Sequence, residues 1–168
     1  MMVSLAVGSI VGLSIMSFAF FTGRSFSALA NYNDLDDKSR NALDIMTRDI
    51  RQVIELDSFA SNSASTTIGL KATNGVISYV YSRTNRTLTR ISATGDTNKL
   101  LSECDTLAFG LYQRNPVGGT YDQYPASTNN LALTCKLIQV SWTCSRKILG
   151  NTMNTESVQT AKVVIRNQ

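Results

Sequence analysis

The chain has 168 residues, 16 Lys and Arg against 12 Asp and Glu, a formal net charge of +4, three cysteines and no histidine. Without histidine, the usual general base at neutral pH and the commonest metal ligand are both missing. The cysteines form no C-x-x-C pair and the carboxylates are scattered, so we expect no catalytic residue, no metal site and no cofactor.

The first element is MMVSLAVGSIVGLSIMSFAFFTG, residues 1–23, which carries no charged side chain. As a helix it would span roughly 35 Å, enough for a hydrocarbon core of about 30 Å. Three readings compete. A cleaved secretory signal would show a positive n-region and a shorter apolar core, and SALA at Ser27–Ala30 is only a weak cleavage cue. A plain membrane anchor is the second. The third is a helix that begins in a membrane and ends in the core of a filament, packed through Val3, Ser4, Leu5, Val7, Gly8, Ile10, Val11, Gly12, Leu13, Ile15, Met16, Phe18, Phe20 and Phe21. Ser4, Gly8 and Gly12 fall on one side, and the G-x-x-x-G spacing lets helix backbones approach closely, although small residues are common enough in membrane helices to arise there by chance. Each glycine also weakens the helix by roughly 1 kcal/mol relative to alanine, so unwinding would begin there.

The helical pattern continues past the polar boundary. Apolar residues recur at Phe26, Leu29, Leu35, Leu43, Met46, Ile50 and Val53, mostly three or four apart. Asp36 with Arg40, and Asp44 with Arg48, stand four apart with the acid first, the favourable order. No proline occurs before Pro116, so the spacing predicts one helix to about Asp57, about 85 Å long, with residues 1–23 apolar all round and 24–57 amphipathic. Leu43, Met46, Ile50 and Val53 are the residues expected to cover a sheet.

Residues 58–168 read as a β-rich head. Ser58–Thr67 (SFASNSASTT) reads as a polar connector. Val76–Ser92 gives two strand-like runs around SRTNR, a hairpin by composition. Thr106–Arg114 alternates with Leu107, Phe109 and Leu111 on one face, and Lys136–Cys144 with Ile138, Val140, Trp142 and Cys144. Ser157–Asn167 makes a last strand. Between the third and fourth runs lies a loop, 115–134, long enough to suggest function or mobility. Its NPVGGTYD has neither the G-K-[ST] ending nor the following helix of a phosphate-binding loop. The fold class expected is α+β, a long helix packed on an antiparallel sheet.

At this point the residues carry a resemblance. The opening MMVSLAVGSIVGLSI, the stem SRNALDIMTRDIRQVIELD centred on Ala42-Leu43, Met46 and Asp49-Ile50-Arg51-Gln52, and the antiparallel head resemble the type IV pilin-like family, which includes minor pilins and type II secretion pseudopilins. The likeness covers the helix, about a third of the chain, and the head by layout; GVISYVYSRTNRTLTRI and LLSECDTLAFGLYQRN resemble the family's strands more loosely. It implies a ladle-shaped subunit that waits in a bacterial inner membrane and then joins a surface filament made of copies of itself and of other pilins. That family has a basic leader, a cleavage point and a mature start of Phe followed shortly by Glu, none of which this chain carries, so the resemblance implies that the mature protein begins a few residues before Met1. Many relatives also have a proline where this chain has residues such as Ser17.

If the third and fourth strands pair as antiparallel neighbours, Cys104 comes near Cys144 while Cys135 lies at the other end. Parity disagrees, because Cys104 is out of phase with Leu107; a bend at Asp105 would reconcile it. One disulfide with a leftover thiol, and no disulfide at all, both remain open. Residues 24–59 hold five basic residues against seven acids and residues 60–168 eleven against five, so an acidic stem could attract a basic head between subunits, or both could be merely solvated faces. Arg83, Arg86 and Arg90, with Tyr79 and Tyr81, would be the site for nucleic acid, but no recognisable motif is present and nucleic acid is not an expected partner. The runner-up function is a membrane-anchored extracytoplasmic domain that recognises a ligand through the 115–134 loop.

Overall fold

The computed structural model describes residues 2–113, 123–127, 130–146 and 156–165, and of Met2 and Leu5 only the backbone. Helix α1 runs unbroken over Met2–Gln52, 51 residues and about 76 Å. It passes through Gly8 and Gly12 without unwinding. It ends five residues earlier than the pattern predicts. The reason lies in Val53 and Ile54, β-branched residues that suit extended backbone. The Ile54 N–H already donates to the Lys71 carbonyl at 2.8 Å, and Glu55 opens strand β1 opposite Lys71.

Among the described residues nine strands follow, interrupted by one short helix. Strands β1 (Glu55–Ser61), β2 (Ser65–Ala72), β3 (Gly75–Ser82), β4 (Thr87–Ile91) and β5 (Thr97–Leu101) form an antiparallel meander in that order. Strands β6 (Cys104–Gln113), β7 (Tyr124–Pro125), β8 (Leu137–Ser145) and β9 (Glu156–Val164) form a second antiparallel sheet, ordered β7-β6-β8-β9, with helix α2 (Leu131–Thr134) leading into β8. The fold is α+β, as the pattern predicts, and the hairpin of Val76–Ser92, the strands expected from Thr106 and from Lys136 and the final strand all form within the described residues.

The polar connector does not form. Ser58–Thr67 instead holds the end of β1 and the start of β2, joined by a turn in which Asn62 Oδ1 accepts from the N–H groups of Ala64 at 2.9 Å and Ser65 at 2.6 Å. Threonine suits a strand by propensity, and pairing of β2 with β1 and β3 carries the serines along with it. The β2–β3 connection is a two-residue loop closed by Ala72 opposite Gly75. Gly75 has φ +131 and a Cβ on it would sit 3.0 Å from that of Ala93, so only glycine fits.

Both sheets and the second half of α1 share one core. Leu35, Ala42, Met46, Ile50 and Val53 enter it from the helix side, Leu70, Tyr79, Tyr81 and Leu88 from the first sheet, and Ile138, Val140 and Trp142 from the second. Phe59 of β1 meets Phe109 of β6 edge to face at 6.5 Å, fastening one sheet to the other. Met46, Ile50 and Val53 lie where the periodicity predicts, but Leu43 is only half-buried at the margin. Its expected place is taken by Ala42, in register with buried Leu35, Ser39 and Met46. The small side chains at 39 and 42 let the helix backbone approach the strands closely.

Candidate functional site

Among the described residues, the first half of α1 is left open rather than packed on the head. Val3 is 77% exposed, Ile10 65%, Leu13 67% and Phe18 72%; Val7, Val11, Ile15, Met16, Phe20 and Phe21 are likewise open. The side chain of Leu5 lies outside the described residues. Four hydroxyls along this helix are satisfied within it: those of Ser9, Ser14, Thr22 and Ser25 donate to the carbonyls of Ala6, Ile10, Phe18 and Phe21 at 2.8, 2.9, 2.8 and 3.1 Å. Such back-bonding hides hydroxyls from an apolar surround. By length and composition the rod is apolar enough to cross a membrane. Ser4, Gly8 and Gly12 share one side, and a Cβ added at either glycine would meet nothing within 4 Å.

Where the rod enters the head, charge fixes it. Arg146, just past β8, reaches Asp34 at 3.0 Å, Glu103 at 2.8 Å and Asn31 Oδ1 at 3.0 Å. Lys38 also holds Asp34 at 2.8 Å, and these donors, Lys38 first, keep the Asp34 carboxyl below its usual value. The Arg146 guanidinium is raised in turn, chiefly by Glu103. On the next turn Asp36 accepts from Arg40 at 2.7 Å and from Gln159 of β9 at 3.1 Å. The Asp44–Arg48 pair that the spacing suggests is not among the ion pairs of the described residues.

Farther along, Asp49 is carried into the core, 3% exposed. Its Oδ2 accepts from the Tyr79 hydroxyl at 2.7 Å and from Arg90 Nε at 2.6 Å. Burial, then the hydrogen bond to Asp49, pushes the Tyr79 phenol well above its ordinary range. The helix periodicity shows the apolar stripe but not this acid within it. The signal was present, because an acid on the buried face requires a cation opposite.

The proposed nucleic-acid patch is used internally. Arg90 is bound to Asp49, while Arg86 reaches Asp105 at 2.5 Å and the Ser145 carbonyl at 2.9 Å. Tyr79 and Tyr81 are buried, leaving Arg83 alone of that set exposed. Part of the attraction expected between acidic stem and basic head is likewise met inside one chain, through Arg90 and Arg146. Of the 115–134 loop, residues 115–122 and 128–129, with all of NPVGGTYD, lie outside the described residues. The rest is not irregular throughout: Tyr124 and Pro125 pair with β6, and Leu131–Thr134 is helical.

The structure brings Cys104 and Cys144 directly opposite each other as free thiols and leaves Cys135 at the far end of β8. The ladder shifts register between Cys104 and Thr106, so Asp105 is an extra residue that turns Cys104 toward the core face of Leu107. Among the described residues no group of three or more His, Cys, Asp or Glu could hold a metal ion. No family model matches the chain, and neither a curated protein nor a solved structure does.

Proposed function

We propose that the chain is a structural subunit of a type IV pilus-like filament, a ladle whose apolar handle packs against the handles of other copies. One observation carries the reading: a single rigid helix is sealed into a head by its second half and left apolar and bare by its first. A tether needs only enough length to cross a bilayer; this rod continues without a break into a folded core.

Physics then dictates what the rod must do. In the inner membrane, lipid covers it. Once withdrawn, each Å² left in water costs on the order of 25 cal/mol, and neighbouring rods around a common axis remove that cost. Contacts repeated head to tail without closing into a ring give an open fibre. Its role in adhesion, motility, secretion or uptake would follow from what the heads display.

The test is electron microscopy of sheared surface material from cells expressing the chain, with immunogold on the head. Labelled fibres are the expected outcome. Recovery of the chain only in membranes would overturn the proposal and favour a tethered binding domain.

A further inference from the structure

The three cysteines divide into a pair and a remainder. Cys104 and Cys144 oppose each other across β6 and β8, 0% and 1% exposed. The hydrogen bonds around them define the kind of pair. The Ser145 N–H donates to the Glu103 carbonyl at 3.1 Å, the flanking bond of a non-hydrogen-bonded position. Cys104's own N–H turns away to the Arg86 carbonyl at 2.9 Å, and its carbonyl accepts from the Tyr81 hydroxyl at 3.1 Å. At such positions Cα atoms approach to about 4.5 Å and side chains are at their closest. Disulfides require roughly 4.4–6.8 Å between Cα atoms.

We propose that Cys104 and Cys144 are an oxidation site, joined as a cross-strand disulfide when the head folds in an oxidising compartment, with Cys135 left as a thiol. The compartment rests on the export reading above; the pairing rests on the ladder alone. Cys135 lies two residues before β8 begins and nine before Cys144, its Sγ directed to the Leu137 carbonyl, too far to compete.

The chemistry is exchange with a disulfide-bearing oxidant, a protein disulfide or glutathione disulfide. A thiolate of the pair attacks one sulfur of that disulfide, forming a mixed disulfide and expelling a thiolate. The second cysteine, losing its proton, attacks the mixed disulfide, closes the intramolecular bond and expels the other thiolate. Two protons and two electrons pass to the oxidant, which leaves as two thiols. Either thiol of the pair can make the first attack. Because both are sealed in the core, exchange belongs to folding rather than to the finished head.

Two arms test this. In the first, the detergent-purified full chain is reduced, unfolded in guanidine and refolded with glutathione disulfide. Maleimide counting in denaturant and a non-reducing digest are expected to find one thiol, Cys135, and a peptide linked through Cys104 and Cys144. Cys135→Ser should form the same link, and Cys104→Ser should leave Cys144 unlinked to Cys135. Three surviving thiols, or any link through Cys135, overturns the proposal. In the second, cells are quenched in acid and the exported chain is alkylated in denaturant, so that buried thiols react as well. One alkylated cysteine supports the proposal, and three on a chain whose head is protease-accessible from outside overturn it. Three on a chain whose head lies inside the cell, with the first arm positive, would uphold the pairing and sink the export reading instead.

Discussion

Asp49 is the residue at which α1 and the first sheet are joined by charge as well as by packing. The pair with Arg90 is formed between a carboxylate 4% exposed and a guanidinium 22% exposed. Taking away one member of a buried pair strands the other, at a cost of about 3–5 kcal/mol. Asp49→Ala should therefore lower stability by that amount in denaturant titrations of the full chain in micelles, and Asp49→Asn by less, since its amide oxygen can still accept from Tyr79. Tyr79 adds a pH signature. Its ionisation is raised from 10.0 in the folded state, first by burial. Below pH 10 folded and unfolded chains both keep the proton; above it only the unfolded chain loses it, so stability falls as pH rises, by at most about 1.4 kcal/mol per unit. Tyr79→Phe should make this alkaline decline shallower between pH 10 and 11.5, measured by urea midpoints. Tyr81, also raised by burial, supplies a remaining slope.

At the scale of elements, α1 is two surfaces on one backbone. Gly8 and Gly12 face open space in the single chain. Substituting both by leucine should leave the head's fold and the helix content unchanged, or slightly raised. A fall in fibre yield of such a variant therefore reports contact with another chain; an unchanged yield would show that these glycines are not points of close approach. The helix and its apolar stripe were legible because period and length spoke together. The stripe's centre was not, because Leu43 advertises burial by type whereas Ala42 is buried by geometry. Strands β2 and β5 were missed for a related reason. STTIGLKA and TNKLL carry few large apolar residues, and only pairing with β3 and β4 makes strands of them. The bulge at Asp105 was legible as a conflict of parity between Cys104 and Leu107, since a strict period of two cannot put both on one face.

For the whole molecule, the packed core and the bare apolar rod are separate parts of the chain. Among the described residues the core includes none before Leu35, and the first charged clamp is at Asn31 and Asp34. Removing residues 1–23 should accordingly give a water-soluble head whose unfolding midpoint matches that of the full chain in mild detergent, and which sediments as a monomer. A truncated head that aggregates or melts much earlier would show that the rod helps hold the head together. Function was harder to read than fold. Apolarity and length declare that something must cover the rod, and only the material of the cover distinguishes lipid from copies of the chain.

Because α1 crosses Gly23 without a break, its two ends share a single rotational setting. Whatever grips the base thereby sets the compass bearing of the head, as a key blade sets its bow. One alanine inserted between Gly23 and Asn31 should swing the head by roughly 100° and cripple assembly, whereas seven, returning it to within about 20°, should restore fibres.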